Sequence, residues 1–105
     1  MLVQVSLLYI DDCPHSQLAE HRVAEALHRV GKSDQVVEQV LIASDEQARR
    51  VRFLGSPTIL IDGQDPFAAS PVGSYGLSCR LYPSEDGLTG SPTVEALVLA
   101  VTAHA

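Results

Sequence analysis

The sequence predicts an α/β domain with a mixed, four-stranded central sheet and helices on both faces, in the order β-α-β-α-β-β-α, formed by residues 1–105 as a single domain. Three observations predict it. An apolar run at 2–10, LVQVSLLYI, gives way at Pro14 to apolar residues spaced three to five apart, the change from strand to helix. A second strand-like run, QVVEQVLIA, follows at 35–43, and a strand-helix-strand unit requires a right-handed crossover and parallel pairing. Later, SPTILIDG ends on Asp62-Gly63, a turn signal that sends the next strand back antiparallel and makes the sheet mixed.

The elements follow in order. Residues 2–10 read as a buried central strand, because the alternation is weak and the apolar run solid. Leu18, Val23, Ala26, Leu27 and Val30 line one side of a helix from Pro14 to Val30, with Pro14 in the first turn, where a missing N–H costs nothing. His21, Glu25 and His28 share a face of it at metal-ligand spacing, a pattern that on an amphipathic helix reads first as a solvated polar face. Gly31 stops the helix. After the second strand, Ser44 with Gln47 three residues on forms a capping box, and Asp45 and Glu46 suit the positive end of the dipole. That helix is expected to run to Leu54-Gly55. A third strand covers Thr58 to Ile61. Residues 64–76, QDPFAASPVGSYG, form a loop long for a domain of this size. GLSCRLY, 76–82, is expected to be the fourth strand and PSEDGLTG a turn. Ser91 caps a C-terminal helix with Pro92 at its first position. GSPT occurs at 55–58 and at 90–93, once feeding a strand and once a helix.

Composition narrows the function. Thirteen acids against seven bases leave a net charge of −6, which disfavours nucleic acid and anionic membranes as partners. The apolar fraction of 46% suffices for a core without metal or staples. No apolar run reaches the roughly 20 residues that span a bilayer. The start, MLVQVSLLYI, carries no basic leader or small-residue cleavage site, so no signal peptide is expected. Two cysteines without an export signal suit a reducing cytoplasm, where they are free thiols or a transient pair. No cofactor or metal is called for.

The chemistry lies in DDCPHS, residues 11–16. Cys13 stands between a strand and a helix, next to Pro14, and Ser16 occupies the place where a redox dithiol carries its second cysteine. Cys13-Pro14 after the first strand, together with Gly55-Ser56-Pro57-Thr58 before Ile59-Leu60-Ile61, resembles the thioredoxin-like superfamily over nearly the whole chain, in a monothiol Cys-Pro-x-Ser form. The resemblance implies a thioredoxin fold, a cis bond before Pro57, and thiol–disulfide oxidoreductase activity with Cys13 as nucleophile. Pro57 would lie against Cys13, and the main chain beside it would pair with an extended substrate peptide. The chain departs from the pattern at Ser16, in the 64–76 loop and at Cys79.

On this reading the N–H groups and dipole of the helix favour the Cys13 thiolate, and the Ser16 hydroxyl donates to it. Pro14, His15, Ser56, Thr58 and Arg80 contact the substrate, Arg80 taking an anionic group. Asp11 and Asp12 oppose negative charge on the sulfur. Resolution falls to a low-molecular-weight thiol or to Cys79, which requires a Cα separation below about 7 Å for a disulfide. The partner is a disulfide-containing protein or a small thiol. Two other readings stay open: Cys13 and Cys79 clamping a soft metal or organomercurial, since thiolates select soft ions, and a non-catalytic interaction module. Any surplus apolar face on the C-terminal helix would serve a homodimer.

Overall fold

The computed structural model describes residues 3–68 and 76–104. In chain order the elements are β1 (Val5–Tyr9), α1 (Ser16–Arg29), β2 (Val37–Leu41), α2 (Asp45–Arg50), β3 (Thr58–Ile61), β4 (Tyr82–Ser84), β5 (Gly87–Thr89) and α3 (Val94–His104). The class is α/β, and the main sheet is mixed, with three strands in the order β2-β1-β3. β1 lies in the centre, parallel to β2 and antiparallel to β3, so that Leu7 stands opposite Gln39 on one side and Ile59 on the other.

The solid apolar run of β1 is explained by burial on both faces. Val5 and Leu7 point with Ile59 and Ile61 into a core filled by Ala19, Val23, Ala26 and Leu27 of α1 and by Leu97 and Val101 of α3. Leu8 points the other way, into a smaller core with Ile42, Ala48 and Phe53 around α2. Helices therefore cover both faces, as the alternating side-chain directions of a strand require. Among the described residues no helix is long and apolar enough to cross a membrane.

Helix ends obey local chemistry. Gly31 takes the left-handed conformation (φ 76°), its N–H bonds to the His28 carbonyl at 3.1 Å, and the Lys32 N–H bonds to Leu27 at 2.8 Å. That pair of bonds is a Schellman stop. α2 starts as expected: the Ser44 hydroxyl accepts from the Gln47 N–H at 3.1 Å, while Gln47 Oε1 accepts from Ala43 N–H at 2.9 Å, one residue earlier than the usual box. It ends sooner than expected. Arg52, not a glycine, adopts the left-handed conformation (φ 58°), and the Phe53 N–H closes onto the Ala48 carbonyl at 2.8 Å. Burying Phe53 beneath the sheet turns the chain before Leu54-Gly55 is reached.

α1 also begins later than Pro14. His15 is its N-cap, without a side-chain cap bond, and Pro14 lies just before it. At α3 the expected cap is corrected: Thr93 Oγ1 accepts from the Ala96 N–H at 3.1 Å, whereas the Ser91 hydroxyl, fully buried, donates to the Pro92 carbonyl at 3.0 Å. Pro92 thus precedes the cap.

The main correction concerns the fourth strand. Residues 76–82 do not join the central sheet as a strand; they touch it at one parallel bridge, Cys79 to Ser56. Beyond that bridge the Gly76 N–H bonds to the Phe53 carbonyl at 3.3 Å, and side chains of Arg80 and Tyr82 reach Thr58 and Pro57. Tyr82 then opens a separate hairpin, pairing with Thr89 while Ser84 pairs with Gly87, inside the stretch expected to be only a turn. Asp62-Gly63 does turn the chain, both at positive φ (54° and 80°), with reciprocal Ile61–Gln64 bonds; this is the geometry that Asp-Gly favours. Among the described residues it leads to one bridge, Ile61 to Gln64, and not to a further strand of the sheet. Residues 69–75 of the expected 64–76 loop lie outside the described residues.

Candidate functional site

β1 delivers the chain to Ile10, and a tight turn follows. Asp12 takes a positive φ of 59°, and the Cys13 N–H returns to the Ile10 carbonyl at 3.3 Å. Aspartate tolerates that conformation better than most residues, since its short side chain can bond locally. The turn leaves Cys13 free and half-buried, just ahead of α1. Ser16 does not serve it as expected. Its N–H (3.4 Å) and its hydroxyl (3.2 Å) both donate to the Cys13 carbonyl oxygen, so Ser16 anchors the main chain of Cys13, not its sulfur. Pro14 is exposed beside it.

His15 packs onto the second GSPT. A Cβ on Gly90 would fall 2.3 Å from the His15 Cγ, so this position has room only for hydrogen. Arg22 braces the same loop, donating to Thr89 Oγ1 (3.2 Å) and to the carbonyls of Ser91 (3.0 Å) and Pro92 (3.4 Å).

The first GSPT has its own arginine, Arg80. The Ser56–Pro57 bond is cis. Ser56 is fully buried; its hydroxyl oxygen accepts from the Ile10 N–H at 3.1 Å. Its N–H donates to the Ser78 carbonyl (2.7 Å) and its carbonyl accepts from the Arg80 N–H (2.9 Å). The Tyr82 hydroxyl donates to the Pro57 carbonyl. The Thr58 hydroxyl donates to the Gly55 carbonyl at 2.6 Å. Gly55 has φ 127°, and a Cβ there would come within 2.9 Å of Arg80 Cβ, so both its conformation and the close approach demand glycine.

Arg80, expected to take an anionic substrate group, is committed elsewhere. It pairs with Asp65 in a fork, Nη1–Oδ2 at 2.6 Å and Nη2–Oδ1 at 3.4 Å, with both side chains only 10% exposed. It also donates to Thr58 Oγ1 (3.2 Å) and lies 4.6 Å from the centre of the Tyr82 ring. Phe67 meets that ring edge-on at 5.7 Å. Burial holds the Tyr82 phenol well above its ordinary range, against the pull of the Arg80 charge. Asp65, Arg22, Gly90 and the bond from Tyr82 to Pro57 escaped the sequence reading, because these partners lie 15 to 75 residues apart and no periodicity links them.

The site thus gathers round one buried serine. Cys13 is tied to Ile10, Ile10 to Ser56, and Ser56 to the two residues flanking Cys79, which is exposed and free. Of the other expected residues, Pro57 and Thr58 are fully buried, Pro57 just ahead of β3 and Thr58 as its first residue. A concavity of about 920 Å³ lies between the β4–β5 hairpin and the start of α3; Arg22 and Thr89 line it, while Cys13, Ser16, Ser56, Pro57, Thr58, Cys79 and Arg80 do not. Among the described residues no group of three or more His, Cys, Asp and Glu side chains is placed to hold a metal ion. His21, Glu25 and His28 are exposed, and Glu25 pairs with Arg29 at 3.1 Å.

Compared with protein-family models, curated proteins and solved structures, the chain shows no significant match to any of them.

Proposed function

We propose that the chain is a thioredoxin-like thiol–disulfide oxidoreductase of monothiol type, with Cys13 as nucleophile. The observation that carries the reading is the hydrogen-bonded tie from Cys13 through Ile10 to Ser56, which holds a free, partly accessible thiol at a helix start beside the Pro57 loop. Supporting it are the strand order β2-β1-β3 and helices on both faces. In this reading the expected fourth strand, 76–82, is reduced to one bridge at Cys79.

The Cys13 thiolate attacks one sulfur of a disulfide R–S–S–R′. A Cys13–S–S–R bond forms, the old S–S bond breaks, and R′S⁻ leaves with the electron pair and takes a proton from water. A small thiol, as its thiolate, then attacks the mixed disulfide and regenerates Cys13. Alternatively, Cys79 attacks Cys13 Sγ, releases RS⁻ and leaves a Cys13–Cys79 disulfide for external thiols to reduce. Either route balances two electrons and needs no cofactor. Free cysteines of this kind suit a reducing, cytoplasmic setting.

Exchange is tested with hydroxyethyl disulfide, following the adduct by peptide-resolved mass spectrometry. Cys13→Ser is expected to abolish adduct formation at this peptide and to reduce turnover at least tenfold. A Cys13→Ser variant that turns over as fast as wild type rejects the proposal.

A further inference from the structure

Recognition of an extended peptide at a sheet edge depends on free main-chain donors and acceptors. In the Pro57 loop the groups named above have partners within the chain. The Gly55 carbonyl takes the Thr58 hydroxyl, the Ser56 N–H and carbonyl take Ser78 and Arg80, and the Pro57 carbonyl takes the Tyr82 hydroxyl. Pro57 itself has no N–H to offer. Residues 78–80 lie along Ser56 as an incoming strand would. Their seat is locked from behind by the Arg80–Asp65 fork, whose side chains are nine-tenths buried.

Charge narrows the choice further. The arginine nearest the Pro57 loop is neutralised by Asp65. Asp11 and Asp12, both exposed, immediately precede the thiol. Their field repels an anion approaching Cys13 and attracts a cation.

Resting on the proposed exchange at Cys13, we infer that its substrate is a small disulfide, neutral or cationic, and not an extended polypeptide. The protein's own 78–80 segment occupies the position where such a polypeptide would pair. Attack by the Cys13 thiolate forms Cys13–S–S–R, breaks the S–S bond of the small disulfide and releases RS⁻, which is protonated by water.

The test measures adduct formation at Cys13 in the full chain carrying Cys79→Ser, which keeps the main-chain bonds of residues 78–80. The probes are cystamine (cationic), hydroxyethyl disulfide (neutral), dithiodiglycolate (anionic), and a flexible uncharged peptide whose single cysteine is a mixed disulfide with 2-mercaptoethanol. Each rate is divided by that of free 2-mercaptoethanol with the same probe, which removes differences in leaving group. The expected order is cystamine, then hydroxyethyl disulfide, then dithiodiglycolate, spanning about tenfold at low salt and narrowing as salt screens the aspartates. Asp11→Asn with Asp12→Asn should collapse that order. The peptide should react no faster than hydroxyethyl disulfide, and the amide-exchange rate of the Arg80 N–H should not change when it is added.

A peptide that reacts about tenfold faster than hydroxyethyl disulfide, or dithiodiglycolate reacting fastest, overturns the inference while leaving exchange at Cys13 standing. Absence of any Cys13 adduct with all four probes overturns both the inference and the function it rests on.

Discussion

Arg80 carries a full charge and directs it inward. Its fork with Asp65 is shielded from water, so removing one partner leaves the other charged and buried. Breaking such a pair costs about 3–5 kcal/mol. Arg80→Ala should therefore lower the urea-unfolding free energy by several kcal/mol, and a loss below about 1 kcal/mol, typical of an exposed pair, would contradict this account. Tyr82 makes a second prediction from the same cluster. Its phenol is raised by burial, so above its unfolded value of about 10 the folded state holds a proton that the unfolded chain has lost. Stability from this group is complete below pH 10 and is lost as pH rises beyond it. A denaturation series from pH 8 to 11 should show that fall, and Tyr82→Phe should make it shallower. The sequence hid this cluster because Arg80 reads as a strand residue offered to an anionic substrate group, and its partner Asp65 lies in a loop 15 residues away. Cys13 was legible because its neighbours in sequence, Pro14 and the preceding strand, define its place; the direction of the Ser16 hydroxyl was not, since the cysteine offers it both a carbonyl and a thiol.

At the scale of elements, local chemistry was legible wherever the signal and its effect are adjacent. Gly31, Ser44 with Gln47, and Asp62-Gly63 all act within a few residues of themselves. Competition between neighbours was harder to read. Ser91 and Thr93 are both good caps, and the hydroxyl that meets the Ala96 N–H is that of Thr93. Thr93→Ala should cost about 1 kcal/mol, as loss of a helix cap does, measured by thermal or urea unfolding. A change within about 0.3 kcal/mol would show that Thr93 does not cap α3. The 76–82 segment misled for a different reason. Its apolar content suggests a strand, but its pairing is decided by Ser56, Asp65 and Pro57, all remote in sequence.

At the scale of the molecule, periodicity and the strand-helix-strand order were enough to foresee an α/β chain with a mixed sheet and helices on both faces. The number of strands in the sheet was not, because a strand is counted by long-range pairing. The fold sets the two thiols against their exposures: Cys79 is exposed and Cys13 only half-buried. Accessibility alone would make Cys79 the faster to react. The central claim is that the helix start and the Pro57 loop make Cys13 the working nucleophile, and the most direct test is the iodoacetamide alkylation rate of each cysteine at pH 7, resolved by peptide mass spectrometry in the folded wild-type chain and in urea. Cys13 is expected to react faster than Cys79 when folded, and the two rates to converge when the chain is unfolded. If Cys79 reacts faster in the folded protein, in the order of exposure, Cys13 is not an activated thiol and the proposed function is wrong.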